Sequence, residues 1–139
     1  MALADANVNV DTIVQNDPRS EGADAEVTFT LSAEDLRIAQ AALAPVVAEL
    51  GITRVDQDEE VGKVSIIGAG MRSHPGVAAK VFEVMGEQGI NIEIIHTSPI
   101  KITCLIRAEA VPTAVRSLHT AFGLDDTDVS TEVLGQASR

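Results

Sequence analysis

Two periodicities alternate along the chain. Lys63–Gly68 (KVSIIG) is a short β-branched run closed by glycine, the pattern of a buried strand. Val77, Val81, Val84 and Met85 then recur every three to four positions, which predicts a helix ending near Gly89. Ser73 is its expected N-cap, and Pro75 falls in its first turn, where a missing N–H costs nothing. Ile90–Thr97 and Ile100–Arg107 read as strands separated only by Ser98-Pro99, too short a connection for a parallel crossover, so they predict an antiparallel hairpin. A second helix is expected over 109–122, with Val111, Val115, Leu118 and Phe122 on one face, followed by a strand at Val129–Leu134. The order β-α-β-β-α-β is the ferredoxin-like split βαβ, an α+β fold.

The first half repeats part of this pattern. Residues 3–16 match 85–98 at an offset of 82, so that Val8, Asn9, Val10 and Ile13 fall on Ile90, Asn91, Ile92 and Ile95. Residues 27–43 match 102–118 at an offset of 75, with Thr28 on Thr103 and Leu43 on Leu118. The change of offset falls in the Pro/Gly/Ser-containing loop Asp17–Ala25, and two blocks in the same order argue for duplication. The expected elements of the first copy are strands at 8–16 and 26–31, a helix capped by Ser32 with Asp35 three residues on, and a strand at 52–58. Pro45 lies inside that helix and is expected to kink or interrupt it. Residues 61–84 have no counterpart, so the chain is expected to begin inside a module. The domains are then 1–59, lacking its opening strand and most of its first helix, and 60–139.

Charge and composition narrow the chemistry. The net charge is −11, so nucleic acid and anionic membrane are poor partners. With three Phe and no Trp or Tyr there is no base-stacking platform. No apolar stretch is long enough for a membrane span, and the N-terminus does not read as a signal peptide. The single cysteine, Cys104, fits a reducing cytoplasm and a buried small hydrophobe.

Gly68-Ala-Gly70 after a strand, with Glu93 23 residues beyond Gly70, has part of a dinucleotide fingerprint. Ser73 stands where the third glycine belongs, and the following hairpin is not a parallel βαβ series, which argues against that cofactor. A small-anion site suits the loop better. N–H groups around Ser73–Gly76 can take a carboxylate, and Asn91 offers both donor and acceptor, an inventory that matches a free amino acid. The same residues serve equally as a helix cap and a turn, and residue types alone favour that plainer account. His74, His96 and His119 are isolated and predict no metal site. The acidic run Asp56–Glu60 reads as a solvated linker, and no acid/base or nucleophilic constellation predicts catalysis.

The segment VGKVSIIGAGMRSHPGVAAKVFEVMGEQGINIEIIHTSPIKITCLI (61–106) closely resembles the final ACT domain of bacterial aspartate kinases, and ALADANVNVDTIVQN…AEVTFTL resembles the ACT domain before it. The resemblance spans about residues 2–134, and its most specific parts are VGKVS..G.GM.SHPG, the NIEIIHTS strand and the VQN element. It implies two ACT modules in tandem that bind lysine or threonine at ACT–ACT interfaces and inhibit a kinase. That kinase phosphorylates aspartate at the entry to lysine, threonine and methionine synthesis, and its catalytic domain, with the ATP site, would lie outside this chain. It also implies a homodimer formed by pairing ACT sheets. By resemblance Met71, Ser73, His74, Pro75, Gly76 and Val77 form the effector loop, and Asn91 and Ile92 bind the ligand main chain. Gln15, Asn16 and Thr28 come from the partner domain, while Thr97 and Ser98 fall near a second, pseudosymmetric pocket. Lysine would favour an acid such as Asp11 or Glu93, and threonine a hydroxyl-reading Gln or Thr. The alternative is a stand-alone ACT amino-acid sensor or interaction module without a kinase partner.

Overall fold

Short apolar runs punctuated by glycine and asparagine set the elements of both halves. The computed structural model describes residues 1–16, 25–68 and 76–125. It divides into two units, Met1–Glu59 and Glu60–Arg139.

In the first unit, α1 (Ala2–Asp5) is a single turn. Asn7 then takes φ 58°, a left-handed conformation that asparagine tolerates, and the chain reverses so that the Val8 N–H bonds to the Leu3 carbonyl at 2.9 Å. Val8 is buried. Strands β1 (Ile13–Asn16) and β2 (Glu26–Phe29) pair antiparallel, from Ile13 opposite Phe29 to Asn16 opposite Glu26. A 3-10 turn, Ala33–Asp35, leads into α2 (Leu36–Leu50), which ends on Gly51 at φ 62°.

Three expectations need correction here. The Ser32 hydroxyl donates to the Asp35 carboxylate at 2.8 Å rather than capping a backbone N–H. Pro45 lies within α2 without interrupting it: the proline is exposed, so water can serve the carbonyl whose N–H partner is lost. The expected strand at 52–58 does not form. In a ferredoxin-like sheet the fourth strand bonds to the first, and the described residues of this unit contain no such strand for it to bond to. The segment is held instead by side chains, Arg54 to Asp56 and Gln57 to Gln40 of α2.

The second unit contains β3 (Val61–Ile67), α3 (Val77–Glu87), β4 (Ile94–Ser98), β5 (Lys101–Arg107), a 3-10 turn (Ala108–Ala110) and α4 (Val111–Ala121). The sheet order is β3-β5-β4, antiparallel throughout, as a ferredoxin-like fold requires for its first three strands. The fold class is α+β, ferredoxin-like. The expected strand at Val129–Leu134, with Ser73 and Pro75, lies outside the described residues.

Alternation along β5 sends Ile102, Cys104 and Ile106 to the helices, where they pack with Val64, Val81, Val84, Met85, Ala114 and Leu118. On α4 the buried stripe runs through Ala114, and Val115 points outward at 48% exposure, contrary to expectation. The helix lies close to the sheet: a Cβ on Gly62 would sit 2.4 Å from a Val111 methyl and 3.3 Å from the Ala108 Cα.

The duplication extends to individual backbone bonds. Ile90 N–H to Met85 carbonyl repeats Val8 to Leu3, both at 2.9 Å, and Gly89 at φ 66° repeats Asn7. Glu93 N–H to Leu105 carbonyl (2.9 Å) repeats Asp11 to Thr30 (3.0 Å). The 3-10 turns correspond, Ala33–Asp35 to Ala108–Ala110.

Candidate functional site

The register of the second unit fixes where the candidate residues stand. Met71, Ser73, His74 and Pro75 lie outside the described residues. Gly76 opens α3 at φ 107°, and Val77 packs half-buried against the core. The first N–H groups of α3 have no side-chain cap among the described residues. Thr97 and Ser98 close β4, where Ser98 pairs with Lys101 opposite Ile67 and the Gly68 N–H bonds to the Ile100 carbonyl at 3.0 Å. Thr97, Ser98, Ile67 and Gly68 therefore share one end of the sheet, and α3 carries Gly76 a full helix length from Ile90, whose N–H bonds to the Met85 carbonyl in the last turn of that helix.

Asn91 and Ile92 belong to the other end. The Glu93 N–H reaches the Leu105 carbonyl, which sets Asn91 at the level of Arg107. Ile92 anchors the segment against the core, while Asn91 is exposed. The seven residues of β5 separate the two ends by about 20 Å at ~3.3 Å per residue, far more than a free amino acid spans. One module cannot place Gly76 and Asn91 on the same small ligand.

In the first unit Gln15 and Asn16 end β1, matching Thr97 and Ser98 through the duplication. The pleat divides them. Thr28, opposite Val14, shares a face with Asn16, and Gln15 projects from the other face.

A hollow of about 370 Å³ lies beside Asn91, lined by Gln88, Arg107, Glu109 and Thr113 over Ile90 and Ala110. An amide, a guanidinium, a carboxylate and a hydroxyl around an apolar floor suit a small zwitterion. Arg107 bonds Glu60 at 2.9 Å and Glu93 at 3.4 Å, so the Glu93 carboxylate is already engaged. Sequence reasoning missed Arg107, Glu109 and Thr113. The only pointer was their position just after a predicted strand, at the start of a predicted helix. A second hollow of similar size runs between α3 and α4, with Glu87, Arg116, Ser117 and Thr120 on its walls.

Among the described residues no three His, Cys, Asp or Glu side chains converge as a metal site would require. Burial pushes the Cys104 thiol above its ordinary range, and burial, then the neighbouring Lys101 charge, lowers the Lys63 ammonium. At the end of α4, the Thr120 hydroxyl and then His119 hold Asp125 below the usual carboxylate range. Cys104 is fully buried at the centre of β5, so a thiol reagent at pH 8 is expected to label the native chain at least about a hundredfold more slowly than the urea-unfolded chain. Equal rates in the two solvents, followed by mass spectrometry, would show that β5 is not closed over as described.

Comparison with known proteins converges on one family. Residues 64–122 match the family model described as ACT domain. The aspartokinase of Mycolicibacterium smegmatis is 44% identical over 127 residues, covering 91% of this chain and 30% of that protein. The ligand-free regulatory subunit of aspartate kinase from Thermus thermophilus superimposes with a TM-score of 0.78 at 38% identity, over 87% of this chain and 79% of that one. Aspartokinase III of E. coli, solved in complex with lysine and aspartate in its T-state, aligns with a TM-score of 0.61 at 27% identity, over 86% of this chain and 25% of that one. The chain thus spans about 30% of the length of the curated relatives it matches. Among the described residues no helix is long and apolar enough to cross a membrane.

Proposed function

This chain belongs to the regulatory, ACT-domain part of the aspartate kinases, and from that premise we propose that it binds lysine or threonine between ACT modules and relays feedback inhibition to a kinase catalytic domain. The observation that carries the reading is the separation of Gly76 and Asn91 along the sheet. Among the described strands β4 bonds only to β5 and β1 only to β2, so each module offers, among the described residues, a strand edge open to a further strand. Two such edges set side by side and antiparallel bring the loop end of one module against the Asn91 end of the next. Pairing the first module of one chain with the second of another then brings Asn16 and Gln15 to the partner's Asn91. The open edges support a homodimer built through the sheets, and satisfying them removes a template for uncontrolled strand addition. E. coli aspartokinase III, solved with lysine, supports the ligand class.

In that pairing Asn91 would hold the amine or main chain of an amino acid facing Gln15 and Asn16, and the second module's effector loop, at the other end of the seam, would hold a carboxylate through its backbone N–H groups. An amino acid that fits the inhibited arrangement better than the active one shifts the population by its differential affinity, commonly about 1–3 kcal/mol. The chain itself performs no phosphoryl transfer in this account, and it works in the cytoplasm beside its catalytic partner. The likeness to the Thermus regulatory subunit of aspartate kinase supports the regulatory role.

Calorimetric titration of lysine and of threonine into the chain tests the assignment. Asn91→Ala is expected to weaken the bound amino acid about tenfold or more, the loss of a hydrogen bond to a charged group. The side chain is exposed, so the thermal midpoint should not move. Unchanged affinity for both amino acids would remove Asn91 from the site.

A further inference from the structure

Arg107 stands where three parts of the second unit meet. It ends β5, walls the hollow beside Asn91, and spans two carboxylates distant in sequence: Glu60, 2.9 Å from Nη2, and Glu93, 3.4 Å from Nη1. Glu93 lies two residues past Asn91, and its N–H is already held by the Leu105 carbonyl. Glu60 is the first residue of the unit, and its carbonyl accepts the Ala108 N–H at 2.8 Å. One guanidinium thus reaches both the ligand-facing segment and the point where the chain enters the module. A planar fork can serve two acceptors at once, which an ammonium cannot do in the same geometry.

The internal repeat makes this arrangement informative. At the positions of Arg107 and Glu93 the first copy carries Ser32 and Asp11, and Ser32 bonds to Asp35 instead. The 3-10 turn and the Glu93 and Asp11 N–H bonds recur in both copies, whereas the Arg107 bridge is a departure specific to the module that carries Asn91. We propose that Arg107 is a positioning residue: it holds the 91–93 segment in its ligand-ready path and couples that segment to Glu60 at the entrance of the module. The ligand part of this statement rests on the function proposed above; the bridge does not. Both pairs are partly exposed, so the bridge is individually weak and can yield when the segment moves.

Hydrogen exchange on the full chain without ligand reads the bridge directly. In Arg107→Gln the Glu93 amide is expected to exchange about two- to fivefold faster, while the Ile102 and Cys104 amides inside β5 keep their rates. Arg107→Lys keeps the charge but reaches one carboxylate and should fall between. An unchanged Glu93 rate, or equal acceleration along all of β5, would overturn the bridge. Calorimetry with lysine and threonine reads the positioning role: whichever one the wild-type chain binds should bind Arg107→Gln about two- to fivefold more weakly, with Arg107→Lys recovering part of the loss. Equal affinity would overturn that role. If the wild-type chain binds neither, the positioning role falls with the function it rests on, and the exchange rates still decide the bridge.

Discussion

Ile106→Ala is expected to lower the stability of the second unit by about 3 kcal/mol, within the ~2–5 kcal/mol range for truncating a fully enclosed isoleucine. Ile106 is completely buried on the central strand, opposite Gly62, and packs into the cluster formed by Val64, Val81, Met85 and Ala114. A strand bonded on both sides cannot move to fill the void, so the lost transfer energy and the cavity both count. Ile106→Val removes one methyl and should cost only about 1 kcal/mol. Urea titration followed by far-UV circular dichroism suits a chain without Trp or Tyr. The midpoint should fall with the slope unchanged. A loss below 1 kcal/mol for the alanine variant would mean that the helices do not seat on β5 as described.

Gly62→Val carries the second large effect, by the opposite route. The added Cβ would lie 2.4 Å from a Val111 methyl and 3.3 Å from the Ala108 backbone, so α4 must lift from the sheet or β3 must bow. Overpacking of this kind costs about 1–3 kcal/mol, and the valine methyls place this variant at the upper end. Val111 is β-branched at the start of a helix and has little rotamer freedom to yield. Combining Gly62→Ala with Val111→Ala should recover about half of the alanine variant's loss, because the two changes meet at one contact. Strict additivity of the pair in the same urea titration would show that the close approach does not limit packing here.

These two sites also show how far the sequence could be read. The Ser98-Pro99 connection, the stripe Val77, Val81, Val84 and Met85, and the internal repeat were all legible, because each depends on neighbours within a few positions or on similarity along the chain. What escaped was set by partners distant in sequence. Residues 52–58 have strand-like character, yet a strand needs an edge to bond to. Ala114 and Val115 are both compatible with helical spacing, and the packing of α4 on the sheet buries the first and leaves the second exposed. The capping pattern at Ser32 was present, but the hydroxyl found the Asp35 carboxylate first. Arg107 joins residues 47 and 14 positions away, a pairing invisible to spacing rules. Residue chemistry pointed to Ser73–Gly76 and Asn91 and family resemblance to the other candidate binding residues, whereas the separation of the Asn91 end from the Ser98 end of the sheet came from the register.

Sedimentation equilibrium of the full chain, run over graded concentrations with and without saturating lysine or threonine, tests the central claim most directly. A ligand held between modules of two chains must favour their association by linkage. The account therefore predicts that one of the two amino acids strengthens self-association by about tenfold or more, and that Asn91→Ala abolishes the change. Self-association that stays the same while one of them demonstrably binds would place the site within a single chain and contradict the account.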